Sequence, residues 1–392
     1  MRILFISTVY PDTEESTRGT HIKKIASDLA CQNISVDILT PKIYDTSLAR
    51  EAKSFGNVHR FTFWSGNKPL YLYKKIPIFR MITYMWSGFW KCNALVCRNR
   101  YALIHAHWVI PTGLIGVIVA KLHGLPIVIT AHGSDLLDWG KRPALKPLAK
   151  YVLRNASAIT VNSSAMKSEA ISLGADSEKI KLIYASGVDM KKFNPDISGK
   201  NIREQFNITE ESTVILCVGR LMERKRVCDI VSAVGMLASD FPDMRLLVVG
   251  EGEEMENLLK LRAKLSLGDK VIMANAVANE LLPEYYAASD MFVLASREEA
   301  MGVVLLEAMA SAKPVIGSDV DGIRDVVSCG ENGLLFKALD VSDLANKIKD
   351  LVTDPAKMKN LGLRGRAIAQ EDYSDIEQVQ RTIGVYNQGT RK

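Results

Sequence analysis

Short apolar runs of strand length alternate with amphipathic helical stretches through most of this sequence, and the alternation starts afresh halfway along. A parallel strand pair needs a crossover of a dozen or more residues, usually a helix, so this rhythm predicts parallel sheets covered by helices. In the first half Ile3 to Ser7, Val36 to Thr40, Ala102 to Ala106, Ile127 to Thr130, Ala158 to Asn162 and Ile180 to Tyr184 read as strands. In the second half Val214 to Val218, Leu246 to Val249, Val271 to Met273, Met291 to Leu294 and Pro314 to Gly317 do so. The fold class is therefore α/β, with two doubly wound parallel sheets in tandem, and 392 residues suffice for both cores. Pro195, Ser198 and Gly199 mark a linker at 191–200, separating a domain of residues 1–190 from one of 201–373. Residues 374–392 carry a last helix, from Ser374 to Tyr386.

The stretch from Arg297 to Val327 carries the most chemistry. After the apolar strand Met291 to Leu294, a loop holds Glu299 and Gly302, and a helix from Val303 to Ala312 opens with backbone N–H groups free to meet an anion. Glu307 falls about one turn inside that helix. A pyrophosphate resting on the helix start would leave Glu307 to accept hydrogen bonds from a ribose diol, as an acidic residue does in dinucleotide sites. Glu299 would face whatever the pyrophosphate carries. Arg220 and Lys225 follow the buried strand ending at Val218, at a carboxyl strand end where open parallel sheets bind ligands, and are spaced to bracket one diphosphate. His132 projects from the end of another strand, ahead of Gly133.

Two glutamates separated by seven residues, with Gly302 between them and Glu307-Ala-Met-Ala after, resemble the signature of the retaining GT-B glycosyltransferases of the "glycosyl transferases group 1" family, of family 4 type. The resemblance continues in order along most of the chain. Arg18-Gly19-Thr20 looks like the family's glycine loop, and Ala131-His132-Gly133-Ser134-Asp135 like its donor-site histidine segment. Gly187-Val188-Asp189 with Phe193 and Pro195 looks like its interdomain stretch, and Gly219-Arg220-Leu221 with Lys225 like its diphosphate clamp. The family commonly has glycine where Arg226 stands.

What the resemblance implies is a GT-B architecture of two Rossmann-like domains facing across a cleft: an acceptor-side domain at 1–190, a nucleotide-sugar-binding domain at 201–373 and a C-terminal helix crossing back. The implied activity is transfer of a sugar from a nucleoside diphosphate sugar, UDP- or GDP-linked, to a hydroxyl acceptor with retention, by front-face attack in which the leaving phosphate accepts the acceptor's proton. On that reading His132, Glu299, Arg220 and Lys225 are catalytic. Gly19, Ala276, Val277, Ala300, Met301, Gly302, Val303, Val304 and Glu307 bind the donor, with Ala276 and Val277 at the nucleobase. No cofactor and no metal is implied.

Three look-alike motifs are set aside. Asp319-Val320-Asp321 matches a metal-binding Asp-x-Asp but follows Glu307 on the wrong side of the site. Gly250-Glu251-Gly252 is half of a dinucleotide fingerprint without the third glycine. His105 and His107, without a carboxylate nearby in sequence, read as lining rather than as metal ligands.

Charge is unevenly spread. Between Glu51 and Asp135 there are ten Lys and Arg and no acid, so that stretch is +10 and the remainder of a chain of net +6 totals −4. The same stretch holds 13 of the 28 Phe, Trp and Tyr residues. Basic plus aromatic, centred on 53–100, suggests peripheral contact with an anionic lipid surface and a lipid-linked acceptor from cell-surface polysaccharide or glycolipid assembly; core aromatics beneath surface lysines are the plainer alternative. No nucleic-acid motif accompanies it, and nucleic acid is not an expected partner. Six cysteines without paired spacing, an N-terminal apolar run too short for a signal peptide, and no run of membrane-spanning length point to a cytoplasmic protein, peripheral at most on the inner face of the plasma membrane. A GT-B nucleotide-sugar epimerase and an inactive membrane-surface binding protein are the alternatives to a transferase. A dehydrogenase lacks its glycine fingerprint.

Overall fold

A computed structural model describes residues 1–13, 16, 18–70, 73, 77–137, 143–184, 187–299 and 301–390. The chain divides into two compact units, Met1–Ser186 with Gln378–Lys392, and Gly187–Glu377.

The first unit is built on eight strands: β1 (Arg2–Ile6), β2 (Ser35–Lys42), β3 (Arg50–Lys53), β4 (Gly56–Thr62), β5 (Leu103–His107), β6 (Ile127–Thr130), β7 (Ala158–Val161) and β8 (Ile180–Leu182). They lie in the order β3-β4-β2-β1-β5-β6-β7-β8. All pairs are parallel except β3 with β4. Ile3, Leu4, Phe5 and Ile6 are wholly buried, as a central strand covered on both faces requires. The hairpin β3–β4 is absent from the strands expected above. Arg50-Glu-Ala-Lys has no apolar run, and its edge position leaves it half exposed. What holds it is polar: Arg60 pairs with Glu51 and donates at 2.9 Å to the carbonyls of Leu48 and Pro11.

The second unit has six parallel strands, β9 (Val214–Val218), β10 (Arg245–Val249), β11 (Val271–Met273), β12 (Met291–Leu294), β13 (Val315–Ser318) and β14 (Gly333–Phe336), in the order β11-β10-β9-β12-β13-β14. From β9 the chain works outward to β11, then returns to β12 and works outward the other way. The switch point thus lies between the carboxyl ends of β9 and β12, the place where open parallel sheets bind their ligands. Met291, Phe292, Val293 and Leu294 are at most 2% exposed. Burial of side chains of this size stabilises by about 1.5–3 kcal/mol each, so the strand behind the loop is a rigid base. β14 is the third strand missing from the sequence reading, although the apolar run of Gly333-Leu-Leu-Phe is as long as that of β11.

The terminal helix, Asp375–Gly389, belongs to the second unit by its start and to the first from Gln378 onward. In the first unit Gln378 Oε1 accepts the Tyr184 N–H at 2.8 Å, and the fully buried Tyr386 places its hydroxyl 2.7 Å from His105 Nδ1. In the second, Gly187 has φ +57°, and a Cβ there would lie 2.6 Å from the Asp375 backbone, so only glycine admits the strand-like pairing of Val188 with Tyr373 to Asp375.

Candidate functional site

At the switch point of the second sheet, Lys225 from the loop after β9 meets Glu299 from the loop after β12 at 2.5 Å. Ser296 adds a hydroxyl hydrogen bond to the same carboxylate oxygen at 3.0 Å. The two loops are also joined through their backbones, Arg297 N–H donating to Arg224 O at 2.8 Å. Arg220, nearer the strand end, is exposed and makes no ion pair among the described residues. Arg226 has φ +52°, and a two-pronged hydrogen bond to Asp229 at 2.6 and 2.9 Å holds it there.

Helix Val303–Ala310 begins beside this pair. Gly302 caps it in the left-handed region, φ +67°, with no side chain occupying the first free N–H groups. Met301 is 8% exposed, so it offers a ligand only its main chain, whereas Val303 is 39% exposed. Val304 is half-buried, and Ala300 lies outside the described residues. Glu307 accepts a hydrogen bond from Tyr286 Oη at 2.8 Å, and that hydroxyl also reaches Val304 O at 3.1 Å. Burial pushes the Glu307 carboxyl up to about 7, against the Tyr286 hydrogen bond and the charge of Lys192, which pull it down.

A glycine pair braces the clamp from behind. Leu221 N–H donates to Glu251 O, Glu254 N–H to Leu221 O, and Gly250 N–H to Asn275 O, at 2.8, 3.1 and 2.8 Å. A Cβ on Gly250 would stand 1.9 Å from Gly219 O, and one on Gly252 would stand 2.0 Å from Leu221 O. Gly250-Glu251-Gly252, which resembles half of a nucleotide fingerprint, thus serves to let two loops touch. It also ties the Asn275 turn, with the exposed Ala276 and half-buried Val277, to the same end of the sheet.

In the first unit His132 follows β6, and its ring lies parallel to Trp108 at 4.2 Å. Its Nε2 is 3.1 Å from His107 Nδ1, and its backbone N–H joins those of Gly133 and Val109 on the Asp135 carboxylate at 2.8–3.0 Å. His105 is used on both nitrogens, by Tyr386 at 2.7 Å and Thr130 at 2.6 Å, which leaves none for a metal. Burial pushes His105 down to about 3 and holds His107 and His132 well below the ordinary histidine range. The cluster is neutral. Gly19 caps helix Thr20–Cys31 at φ +74°, and a Cβ there would lie 2.8 Å from the backbone of Val9 and Tyr10. Its missing side chain therefore admits this chain's own loop.

Residues 198–368 match the family profile described as "Glycosyl transferases group 1", and residues 19–192 that described as "Glycosyltransferase Family 4". A D-inositol 3-phosphate glycosyltransferase of Pseudarthrobacter chlorophenolicus is 31% identical over 288 residues, 69% of this chain and 67% of that one. The chain belongs to the glycosyl transferases group 1 family. It is a glycosyltransferase of GT-B fold. An N-acetyl-alpha-D-glucosaminyl L-malate synthase of Bacillus anthracis is 28% identical over 74% of this chain and 75% of its own. A GDP-mannose-dependent alpha-(1-6)-phosphatidylinositol monomannoside mannosyltransferase of Mycolicibacterium smegmatis is 26% identical over 67% and 70%. Among solved structures, Anabaena Alr3699/HepE in complex with UDP superposes with a TM-score of 0.77 at 21% identity, covering 99% of this chain and 100% of that one.

In this glycosyltransferase the structure brings Lys225, Glu299, Gly302 and Glu307 to one end of the second sheet. Tyr286 and Ser296, which hold the two glutamates, escaped the sequence reading because neither lies in a motif. Asp135, three residues after His132, was visible there only as part of the histidine segment. Both carboxylates of Asp319-Val320-Asp321 are taken by Arg324. In the first unit helix Ile78–Arg98 exposes Ile78, Ile82, Trp86 and Trp90, four residues apart, by 66, 58, 67 and 51%. Phe79 is 76% exposed beside them. A groove of about 430 Å³ separates this stripe from Ile115 and Ile118. Among the described residues no helix is long and apolar enough to cross a membrane.

Proposed function

We propose that this glycosyltransferase takes a sugar from a nucleoside diphosphate sugar, UDP- or GDP-linked, and transfers it to a hydroxyl acceptor with retention of anomeric configuration. The observation that carries the proposal is the joint placement of Lys225, Glu299 and the Gly302 helix start at the switch point, with a half-buried carboxylate, Glu307, one turn along that helix. In the free protein Lys225 is neutralised by Glu299. A diphosphate competes for the ammonium, joins Arg220 and the N–H groups after Gly302, and leaves Glu299 to accept hydrogen bonds from the sugar. Glu307 takes the ribose diol, Ala276 and Val277 border the base, and the main chain of Ala300 to Val304 cradles the phosphates. Cations and oriented N–H groups stabilise the charge that builds on the leaving diphosphate, so the reaction needs no metal. Front-face attack, with the leaving phosphate accepting the acceptor's proton, needs no protein nucleophile. His132 and Gly19 are the first unit's candidates for contacting the donor. The GDP-mannose dependence of one relative and the UDP held by one structural neighbour support the donor class.

Calorimetric titration with UDP, GDP, ADP and NAD in EDTA tests this reading. Tight binding of one nucleoside diphosphate supports the donor site and narrows the donor; binding of NAD alone, or of nothing, overturns it. Proton NMR of the product decides retention. A new nucleotide sugar formed without acceptor would instead make the enzyme an epimerase.

The exposed Ile78-Ile82-Trp86-Trp90 stripe, within a stretch free of acid, supports peripheral contact with an anionic bilayer through 53–100, at the inner face of the plasma membrane, and hence a lipid-linked acceptor. A relative that acts on a phosphatidylinositol mannoside supports the same acceptor class. Co-sedimentation with phosphatidylglycerol vesicles but not phosphatidylcholine ones is expected, and should be abolished in Trp86→Ser/Trp90→Ser. Equal recovery of wild type and variant with both vesicles would remove the membrane from the proposal.

A further inference from the structure

We propose that His107 is a positioning residue that sets the tautomer of His132, so that His132 offers its Nδ1–H as a fixed hydrogen-bond donor to the bound sugar donor. The second half of this rests on the placing of His132 in the donor site; the first half does not.

Between His107 Nδ1 and His132 Nε2, 3.1 Å apart, one nitrogen must carry the hydrogen and the other the lone pair. Both rings are packed against aromatic neighbours. His107 is 1% exposed, lies parallel to His105 at 4.4 Å and has Phe5 on its edge at 4.9 Å. His132 lies against Trp108 at 4.2 Å with His21 beside it at 5.3 Å. Two arrangements of the hydrogens are possible. If His132 donates, the single hydrogen left to a neutral His107 sits on Nε2, which is buried without a partner. If His107 donates, only a lone pair is left there. Orphaned buried N–H groups are rarer in proteins than under-used acceptors, so the second arrangement prevails. His132 Nε2 is then an acceptor, and its hydrogen is on Nδ1, which has no partner among the described residues. Burial and the neighbouring histidines keep both rings neutral, so the arrangement does not dissolve into a doubly protonated ring near neutral pH.

The test is long-range ¹H–¹⁵N correlation NMR on the whole protein labelled with ¹⁵N-histidine, with His132 assigned by its loss in His132→Asn. Wild type should show a protonated Nδ1 and a bare Nε2 at His132, unchanged from pH 6 to 8. His107→Asp, whose carboxylate accepts but cannot donate, should bring in the Nε2–H form and lower kcat about tenfold or more, with the donor KM little changed. His107→Asn, whose carboxamide nitrogen is bonded to Cγ as Nδ1 is, should restore the Nδ1–H form and most of kcat. A wild-type His132 carrying its hydrogen on Nε2, or one whose tautomer ignores His107→Asp, overturns the inference. His132 signals that do not move with saturating nucleotide sugar would overturn its role as a donor to the sugar, whatever the tautomer.

Discussion

Lys225 and Glu299, 74 positions apart in sequence, share a 2.5 Å ion pair with side chains 16% and 10% exposed. The pair exists because β9 and β12 are neighbours in the sheet although β10 and β11 intervene in the chain. A charge pair so little hydrated responds strongly to loss of one partner, since the survivor is left uncompensated. Lys225→Ala should weaken nucleoside diphosphate binding and lower kcat by on the order of 10²–10³, the scale for removing one donor to a developing anion. Glu299→Ala should lower kcat while leaving the nucleoside diphosphate Kd within about threefold, because its partner in turnover is the sugar. Equal losses of Kd in both variants, by calorimetry, would make Glu299 a positioning residue for Lys225 instead.

Glu307 titrates near 7, so donor affinity should depend on pH in the physiological range. Below that value the group holds a proton that must leave before both diol hydroxyls can donate to it. The nucleoside diphosphate Kd should therefore fall as pH rises from about 6 to 8, by at most tenfold per unit, and level off above. Glu307→Gln should bind more weakly and lose this dependence while keeping the titration of the phosphate itself. Tyr286→Phe, which removes a hydrogen bond to the carboxylate, should move the midpoint upward. A flat wild-type profile would remove Glu307 from the ribose.

Gly252→Ala should damage the clamp without touching it. The added methyl would stand 2.0 Å from Leu221 O, so the Gly219 to Leu221 loop must shift. Nucleotide affinity should fall at least about tenfold, with a stability loss of about 1–3 kcal/mol read from denaturant unfolding. Unchanged affinity would show that the loop does not position the phosphate site.

Tyr386→Phe should cost about 1–3 kcal/mol of stability, because His105 Nδ1 loses its 2.7 Å partner in a buried place. A thermal midpoint within 1 °C of wild type would mean that the His105 hydrogen bond adds nothing to the hold on the terminal helix.

Most strands were legible because buried parallel strands are runs of Ile, Val and Leu, as Val214–Val218 and Ile127–Thr130 are. β3 was not, because an edge strand held by Arg60 has no apolar signature. β14 was not, although its apolar run is as long as that of β11, which was. The exposed stripe was half legible: the sequence showed that aromatics and cations concentrate together, but not which rings would remain outside. Tyr84 is 1% exposed and Trp86 is 67%, two residues later on the same helix.

By itself the sequence determined two tandem parallel-sheet domains and the identity of the charged groups, since hydrophobic periodicity and loop residues are local properties of a chain. The tertiary structure decided which groups meet. Lys225 finds Glu299 only because strand order in a doubly wound sheet differs from chain order, whereas Glu307 finds Tyr286 and Gly250 finds Gly219 through the packing of elements that are close in the chain. The protonation of those groups was likewise decided late. Burial, which raises Glu307 and lowers His132, depends on neighbours that no local pattern names.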